Sequence, residues 1–320
     1  MKTAIIGTGK ITERFIDAAQ GQDIQLEAVL SRRMETGRSY GEKHGIPRVF
    51  TDIDDLAKSD IQAVYIASPN CCHAPQAITL LEQGKHVLCE KPIAASLSEV
   101  EAMYKAADAG GAILLEAMRS VHDPGFAKLA ELVKEIGTVR RAKFTFCQYS
   151  SRYDNFKKGI IENAFNPQLA NSALMDIGVY CVNPAVRLFG RPKKVTAESI
   201  FMHNGMEGMG SAILRYQNHL VELTYSKITQ GYIQNEIQGE DGTLLIDAIE
   251  DTRRIELVRR TGEHEVFEIE KPANNMYYEV ADFIKLVQEE NTNHIHRKYS
   301  IMEMEVMDAI RNAAGISFGI

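Results

Sequence analysis

Three consecutive residues, Glu90-Lys91-Pro92, place a carboxylate, a primary amine and a chain stiffener at the end of the run Gly84-Lys85-His86-Val87-Leu88-Cys89. That run reads as a short buried strand. A lysine at the carboxyl end of such a strand lies where open α/β sheets bind ligands. The proline fixes the exit path of the chain and removes one backbone donor. A cationic side chain held in this way can polarise an oxygen on a bound molecule.

A second group of residues opens the chain. Gly7-Thr8-Gly9-Lys10-Ile11-Thr12 follows an apolar run and starts a helical pattern. In a dinucleotide-binding turn the first glycine allows the tight bend and the second lets backbone approach a pyrophosphate. The third allows close helix–strand packing. Gly7 and Gly9 match, and Thr12 stands in the third place. At the end of the next strand an acidic residue would hold the ribose 2′-hydroxyl of NAD. The chain has Ser31-Arg32-Arg33 there, and the nearby Glu27 lies inside the strand. Arginine offers a planar fork suited to phosphate, so NADP(H) is favoured over NAD(H), with Ser31 and Arg32 or Arg33 on the 2′-phosphate. A further loop, Ser68-Pro69-Asn70-Cys71-Cys72-His73, ends another strand. Asn70 is placed to cap the following helix, and Ser68, Asn70 and His73 join the expected cofactor set.

The second half offers Asp176 and Tyr180 in Leu174-Met175-Asp176-Ile177-Gly178-Val179-Tyr180. At i and i+4 on a helix the two share one face. Gly178 weakens that helix, which implies the close approach of something bulky.

The elements that must position these residues fall into two patterns. Strand runs at 3–6, 26–30, 63–67, 86–89 and 113–115 alternate with helical stretches at 11–20, 35–44, 75–83 and 97–109. Such alternation means βαβ units and a doubly wound parallel sheet of the Rossmann kind. After residue 120 a helix (124–135) leads to a strand (139–148), an aperiodic polar stretch (149–171) and a helix (173–189) stopped by Gly190. Strands at 194–201, 210–216, 219–226, 232–238, 243–247 and 255–258 then follow one another, with turns at Gln217-Asn218 and Glu240-Asp241-Gly242. Consecutive strands suggest a large, mostly antiparallel open sheet. Helices at 275–289 and 300–316 close the chain. The expected fold is α/β followed by an α+β domain, divided as 1–119 and 120–320, with the last helix able to pack back on the first domain.

Bulk properties narrow the function. The 320 residues carry a net charge of −7 without blocks of like charge, which makes no electrostatic case for nucleic acid or an anionic membrane. No stretch reaches the ~18 apolar residues of a membrane span, and no signal core is visible. The five cysteines, Cys71, Cys72, Cys89, Cys147 and Cys181, are odd in number and irregularly spaced. Reduced thiols in a cytoplasmic protein are therefore expected. His294-Ile295-His296 has no acidic or thiol ligand beside it in sequence, and no metal is expected.

Taken together, Ile5-Ile6-Gly7-Thr8-Gly9, Ala67-Ser68-Pro69-Asn70 with His73, Gly84-Lys85-His86-Val87 running into Glu90-Lys91-Pro92, and Met175-Asp176-Ile177-Gly178-Val179-Tyr180 resemble the Gfo/Idh/MocA family of oxidoreductases. Glu116 with Arg119, Ser150-Ser151 and Tyr180 resemble its dihydrodiol dehydrogenase-like branch. The resemblance implies that Lys91 contacts the substrate hydroxyl and the nicotinamide ribose, with Glu90 beside it. It implies that Asp176 orients the substrate or Lys91. Tyr180 stands where many members have a histidine. Histidine titrates near neutral pH and tyrosine normally near 10, although nearby positive charge favours the phenolate. Tyr180 is then the expected proton donor, with Lys91 the alternative, and Arg119 and Tyr153 are expected on the substrate-pocket wall.

The activity implied is NADP-dependent hydride transfer between nicotinamide and a secondary alcohol or carbonyl of a sugar-like or cyclic diol substrate. The tyrosine weighs against inositol-type chemistry. An NAD(P)-dependent inositol or polyol dehydrogenase is the alternative, and a non-catalytic NADP-binding sensor is the alternative from another class. Ala212-Ile213-Leu214 and the run 220–225 suggest an apolar sheet face for a homodimer.

Overall fold

The computed structural model describes residues 1–318. In chain order its elements are β1 (Lys2–Ile6), α1 (Lys10–Ala19), β2 (Gln25–Leu30), α2 (Met34–His44), β3 (Arg48–Phe50), α3 (Ile53–Ala57), β4 (Ala63–Ile66), α4 (Asn70–Glu82), β5 (His86–Glu90), α5 (Leu97–Gly110) and β6 (Leu114–Ala117). They continue with α6 (Pro124–Leu132), β7 (Val139–Cys147), α7 (Tyr153–Lys157), a π-helical turn (Leu174–Gly178) and α8 (Val179–Phe189). Strands β8 (Lys194–Phe201), β9 (Glu207–Arg215), β10 (Leu220–Ser226), β11 (Asn235–Gly239), β12 (Gly242–Ile246), β13 (Arg254–Arg259) and β14 (His264–Glu268) follow. Helices α9 (Met276–Gln288) and α10 (Ile295–Ala314) come last. Short 3-10 turns link several of these.

The chain divides into two compact units: Met1–Met118 with Pro272–Ile301, and Arg119–Lys271 with Met302–Ile320. The first holds a six-stranded parallel sheet in the order β3-β2-β1-β4-β5-β6. Strands covered on both faces read as unbroken apolar runs, and Ala63, Val64, Tyr65 and Ile66 are all fully buried. Phe15 of α1 stacks on Tyr65 of β4, with centroids 3.9 Å apart. Helix α9 buries Met276, Val280 and Phe283 in the same core, because i, i+4, i+7 spacing gives it one apolar stripe. A division at 119/120 alone therefore misses a segment that returns to the first unit. The strands expected from the sequence also omit β3, which has three residues, and β14, whose run His-Glu-Val-Phe-Glu is largely exposed.

The second unit holds an eight-stranded sheet in the order β14-β13-β12-β11-β7-β10-β9-β8. Every pair is antiparallel except β7 with β10. One face is core: Ala142, Phe144, Val221, Leu223, Tyr225, Ile237, Leu244 and Leu257 are buried, and α8 packs over β7 and β10. The other face is not the continuous apolar surface expected of it. Ala212 and Leu214 turn into the core, whereas Ile213 and Leu220 are exposed. Ile213 and Leu220 share their register rows with Lys143 and Arg141, and Arg141 is ion-paired to Glu222 at 2.7 Å and Glu236 at 2.9 Å. Strand alternation assigns each residue to one face only.

Candidate active site

The strand order reverses between β1 and β4, the switch point where open α/β sheets bind ligands. Gly7 lies there. Its φ is +105°, and a Cβ on it would stand 2.5 Å from the Ala67 carbonyl oxygen at the end of β4. Gly9 caps α1 without a side chain, and nothing lies within 4 Å of where its Cβ would be. Lys10 and Ile11 begin the helix. Its unmatched N–H groups and positive dipole end make an anion cradle, which fits a dinucleotide pyrophosphate. Thr12, in the third-glycine place, is fully buried.

Ser31, Arg32 and Arg33 follow β2. Ser31 N–H donates to Phe50 O at 3.0 Å, and Arg33 caps α2. Both arginines are exposed. The Arg32 charge also reaches Cys72 in the first turn of α4, where burial nevertheless pushes the thiol up to about 11. Asn70 does not cap α4: Pro69 holds that position, Asn70 is the first helical residue, and the helix begins five residues before Pro75.

His73 joins two of these loops. It is 1% exposed, with Nδ1 3.0 Å from Pro92 O and Nε2 2.9 Å from Ser68 O. Its ring therefore bridges the backbone on either side and ties the Ser68 loop to the Lys91 loop. Burial holds its pKa below the ordinary value, against the two carbonyls, which raise it.

Lys91 is half-buried and its bond to Pro92 is cis. The loop around it is fixed from three sides. Tyr65 donates to Glu90 Oε1 at 2.5 Å, and Glu90 Oε2 accepts the Lys91 N–H at 3.2 Å. Buried Glu116 accepts from Ile93 N–H at 3.1 Å and from Ser300 Oγ at 2.6 Å. The exit runs into α5, whose N-cap Ser96 Oγ accepts from Glu99 N–H while Glu99 Oε2 accepts from Ala95 N–H. Gly7, Ser31, Ser68 and Lys91 thus stand together at the carboxyl ends of β1, β2, β4 and β5.

In the second unit Asp176 lies in the π-helical turn, not in a regular helix running from 173. Such wide turns are rare and frequently occur at functional sites. A Cβ on Gly178 would stand 2.9 Å from the Tyr225 ring, so the bulky neighbour is a core tyrosine of β10. Buried Glu207 of β9 accepts the Leu174 N–H at 2.8 Å and holds the start of the turn.

Asp176 Oδ2 is 2.8 Å from Lys227 Nζ, a lysine only 2% exposed just beyond β10, while the aspartate side chain is 38% exposed. Both line a cavity of about 400 Å³ with Gln148, Tyr149, Ser150, Ser151, Ile177 and Gln230. Tyr180 is 7% exposed. Arg119 Nε donates to its hydroxyl at 3.3 Å, with the guanidinium 5.1 Å from the ring centroid, and Phe146 meets the ring edge-on. Tyr149, not Tyr153, takes the cavity wall. Tyr153 lies behind it, packed on Phe156 and Phe165.

Lys227 and the supporting role of Tyr65 escaped the sequence reading, and Glu116 was noted there without its partners Ile93 and Ser300. Of the first two, only Lys227 left a signal. Val221, Leu223 and Tyr225 are the inward positions of β10, so the next inward position, 227, carries a lysine where an apolar residue belongs.

Comparison with known proteins agrees with this architecture. A family described as "Oxidoreductase family, NAD-binding Rossmann fold" matches residues 1–118, and the GFO/IDH/MocA C-terminal domain matches residues 126–245. The chain is 44% identical over 322 residues to scyllo-inositol 2-dehydrogenase (NADP(+)) IolU of Bacillus subtilis, covering 99% of this chain and 98% of that protein. It is 30% identical over 225 residues to trans-1,2-dihydrobenzene-1,2-diol dehydrogenase of Xenopus tropicalis, covering 67% of this chain and 65% of that one. The crystal structure of KijD10, a 3-ketoreductase from Actinomadura kijaniata with NADP and TDP-benzene, has the same fold. Its TM-score is 0.87 at 22% identity, over 98% of both chains. With these matches along both units, the chain belongs to the Gfo/Idh/MocA family of oxidoreductases.

Proposed function

We propose that the protein is an NADP(H)-dependent oxidoreductase that transfers hydride between the nicotinamide and a secondary alcohol, or its carbonyl, on a polyhydroxylated or cyclic diol substrate. The observation that carries this reading is Lys91 held at the carboxyl end of β5 by Glu90, Glu116 and His73, alongside an open pyrophosphate cradle at Gly9. The bound nicotinamide supplies or takes up the hydride. Lys91 polarises the reacting oxygen, Tyr180 gives or takes the proton, and Asp176 accepts a hydrogen bond from a substrate hydroxyl. Arg119 holds the Tyr180 hydroxyl in place. Arg32 or Arg33 takes the 2′-phosphate. The neutral amides and hydroxyls of Gln148, Ser150, Ser151 and Gln230 suit a substrate rich in hydroxyl groups.

A second reading, oxidation of a cyclitol, has its own support. The 44% identity to a protein named scyllo-inositol 2-dehydrogenase (NADP(+)) supports it, against the expectation that tyrosine at 180 weighs against inositol chemistry. A homodimer through the open face of the eight-stranded sheet, with Ile213 and Leu220 exposed on it, completes the proposal. Light scattering of the purified protein tests it.

The deciding experiment follows NADPH formation or consumption with a panel of cyclitols, aldoses and cyclic diols, together with Lys91→Ala and Tyr180→Phe. Turnover is expected with at least one class. Tyr180→Phe should lower kcat by about 10²- to 10⁴-fold and leave NADPH binding unchanged. Tight NADPH binding without turnover of any member would favour the sensor instead.

A further inference from the structure

We infer that Lys227 is a positioning residue that fixes the orientation and the charge of Asp176, an inference that rests on the reading of Asp176 as the group that binds a substrate hydroxyl. The geometry is that of a lysine built into the protein for one carboxylate. The backbone N–H of Lys227 is tied to Gly208 O at 2.9 Å, which aims the side chain inward from the end of β10. Its Nζ meets Asp176 Oδ2 at 2.8 Å and donates to Ala164 O at 2.7 Å, and it lies 5.0 Å from the Phe165 ring centroid. Lysine is almost never fully buried unless it is paired, and here the carboxylate it pairs with is the one that lines the cavity.

The arrangement has two consequences. The backbone of the π turn is held by Ser172 O, which accepts the Asp176 N–H at 3.1 Å, and a cation anchored through a carbonyl and a ring face fixes the carboxylate at the other end. An opposite charge at this distance also favours the ionised carboxylate, so Asp176 can act as acceptor through the working pH range. Among the described residues that line the cavity, Asp176 and Lys227 are the charged ones. The remaining titratable group there is Tyr149, whose hydroxyl donates to Asp154 at 2.7 Å and accepts from Lys157 at 2.7 Å. On the helical side Tyr180 is engaged by Arg119.

The test uses the full-length protein as wild type, Lys227→Met and Lys227→Arg. The Asp176 carboxyl is followed against pH by 13C NMR, its signal assigned by loss in Asp176→Asn. In Lys227→Met the midpoint is expected to rise by about one pH unit or more. The acid limb of kcat/KM should move with it and kcat/KM should fall by about tenfold or more, while NADPH affinity stays unchanged. Lys227→Arg should restore the midpoint. Should Lys227→Met melt below the assay temperature, Lys227→Gln, which keeps a donor for Ala164 O, replaces it. An Asp176 midpoint that does not move in a folded neutral variant overturns the inference. If wild type turns over no substrate, the functional reading falls, and the carboxyl titration still decides the role of Lys227.

Discussion

Tyr65 donates its hydroxyl hydrogen to Glu90 Oε1 at 2.5 Å, linking neighbouring strands β4 and β5 beneath the Lys91 loop. Burial and the adjacent carboxylate push the Tyr65 pKa well above its ordinary value, so the phenol stays a donor at every working pH. Tyr65→Phe keeps the stacking on Phe15 and removes only the donor. Leaving a buried carboxylate short of a partner costs about 1–3 kcal/mol, which urea denaturation reads directly. A drop in kcat without a change in NADPH affinity is expected beside it, because Glu90 would then hold Lys91 less firmly.

Gly7→Ala should be the most damaging change in the dinucleotide turn. The new methyl meets the Ala67 carbonyl in a left-handed conformation, and such a backbone position alone costs about 1–3 kcal/mol for other residues. Loss of NADPH binding, followed by nucleotide fluorescence, is expected even in the folded fraction. Gly9→Ala, with open space at its Cβ, should keep the fold and weaken only the nucleotide.

The Arg32 and Arg33 pair separates the two nicotinamide cofactors. Replacement of the responsible arginine by alanine should weaken NADPH by about 1.5–3 kcal/mol, the usual worth of a hydrogen bond to a charged group, and leave NADH unchanged. Equal loss of both nucleotides would place the arginine elsewhere in the site.

His73 makes stability depend on pH. Its folded-state pKa lies below the ordinary value because of burial, so the unfolded chain binds more protons in the window below about pH 6.5. Stability therefore falls as pH drops through that window, by at most about 1.4 kcal/mol per pH unit for one proton. It levels off once the folded-state pKa is passed. His73→Gln should flatten this slope in urea melts measured between pH 5 and pH 7. An unchanged slope would mean that His73 binds the same number of protons folded and unfolded, and a steeper one that the two carbonyl contacts keep the ring protonated in the folded state.

The turns and loops proposed to bind and react were legible in the sequence, because they are set by local rules. The Gly7 turn, the Ser68 and Lys91 loops and the strand runs before them follow from short spacing, and parallel strands buried on both faces announce themselves as apolar runs. Gly178 and Asp176 were visible as an anomaly in a helix. What stood behind them was not. Tyr225, Glu207 and Lys227 meet their partners in that helix from 33 to 51 residues further along the chain, and nothing local couples a strand register to a helical turn. The same holds for Glu116 with Ser300, and for α9, whose apolar stripe fits any exposed core until the fold presents one. Side-chain type and spacing determined which chemistry the chain carries. Only tertiary packing decided which buried partners fix each reactive group, because burial and pairing depend on neighbours that sequence distance does not reveal.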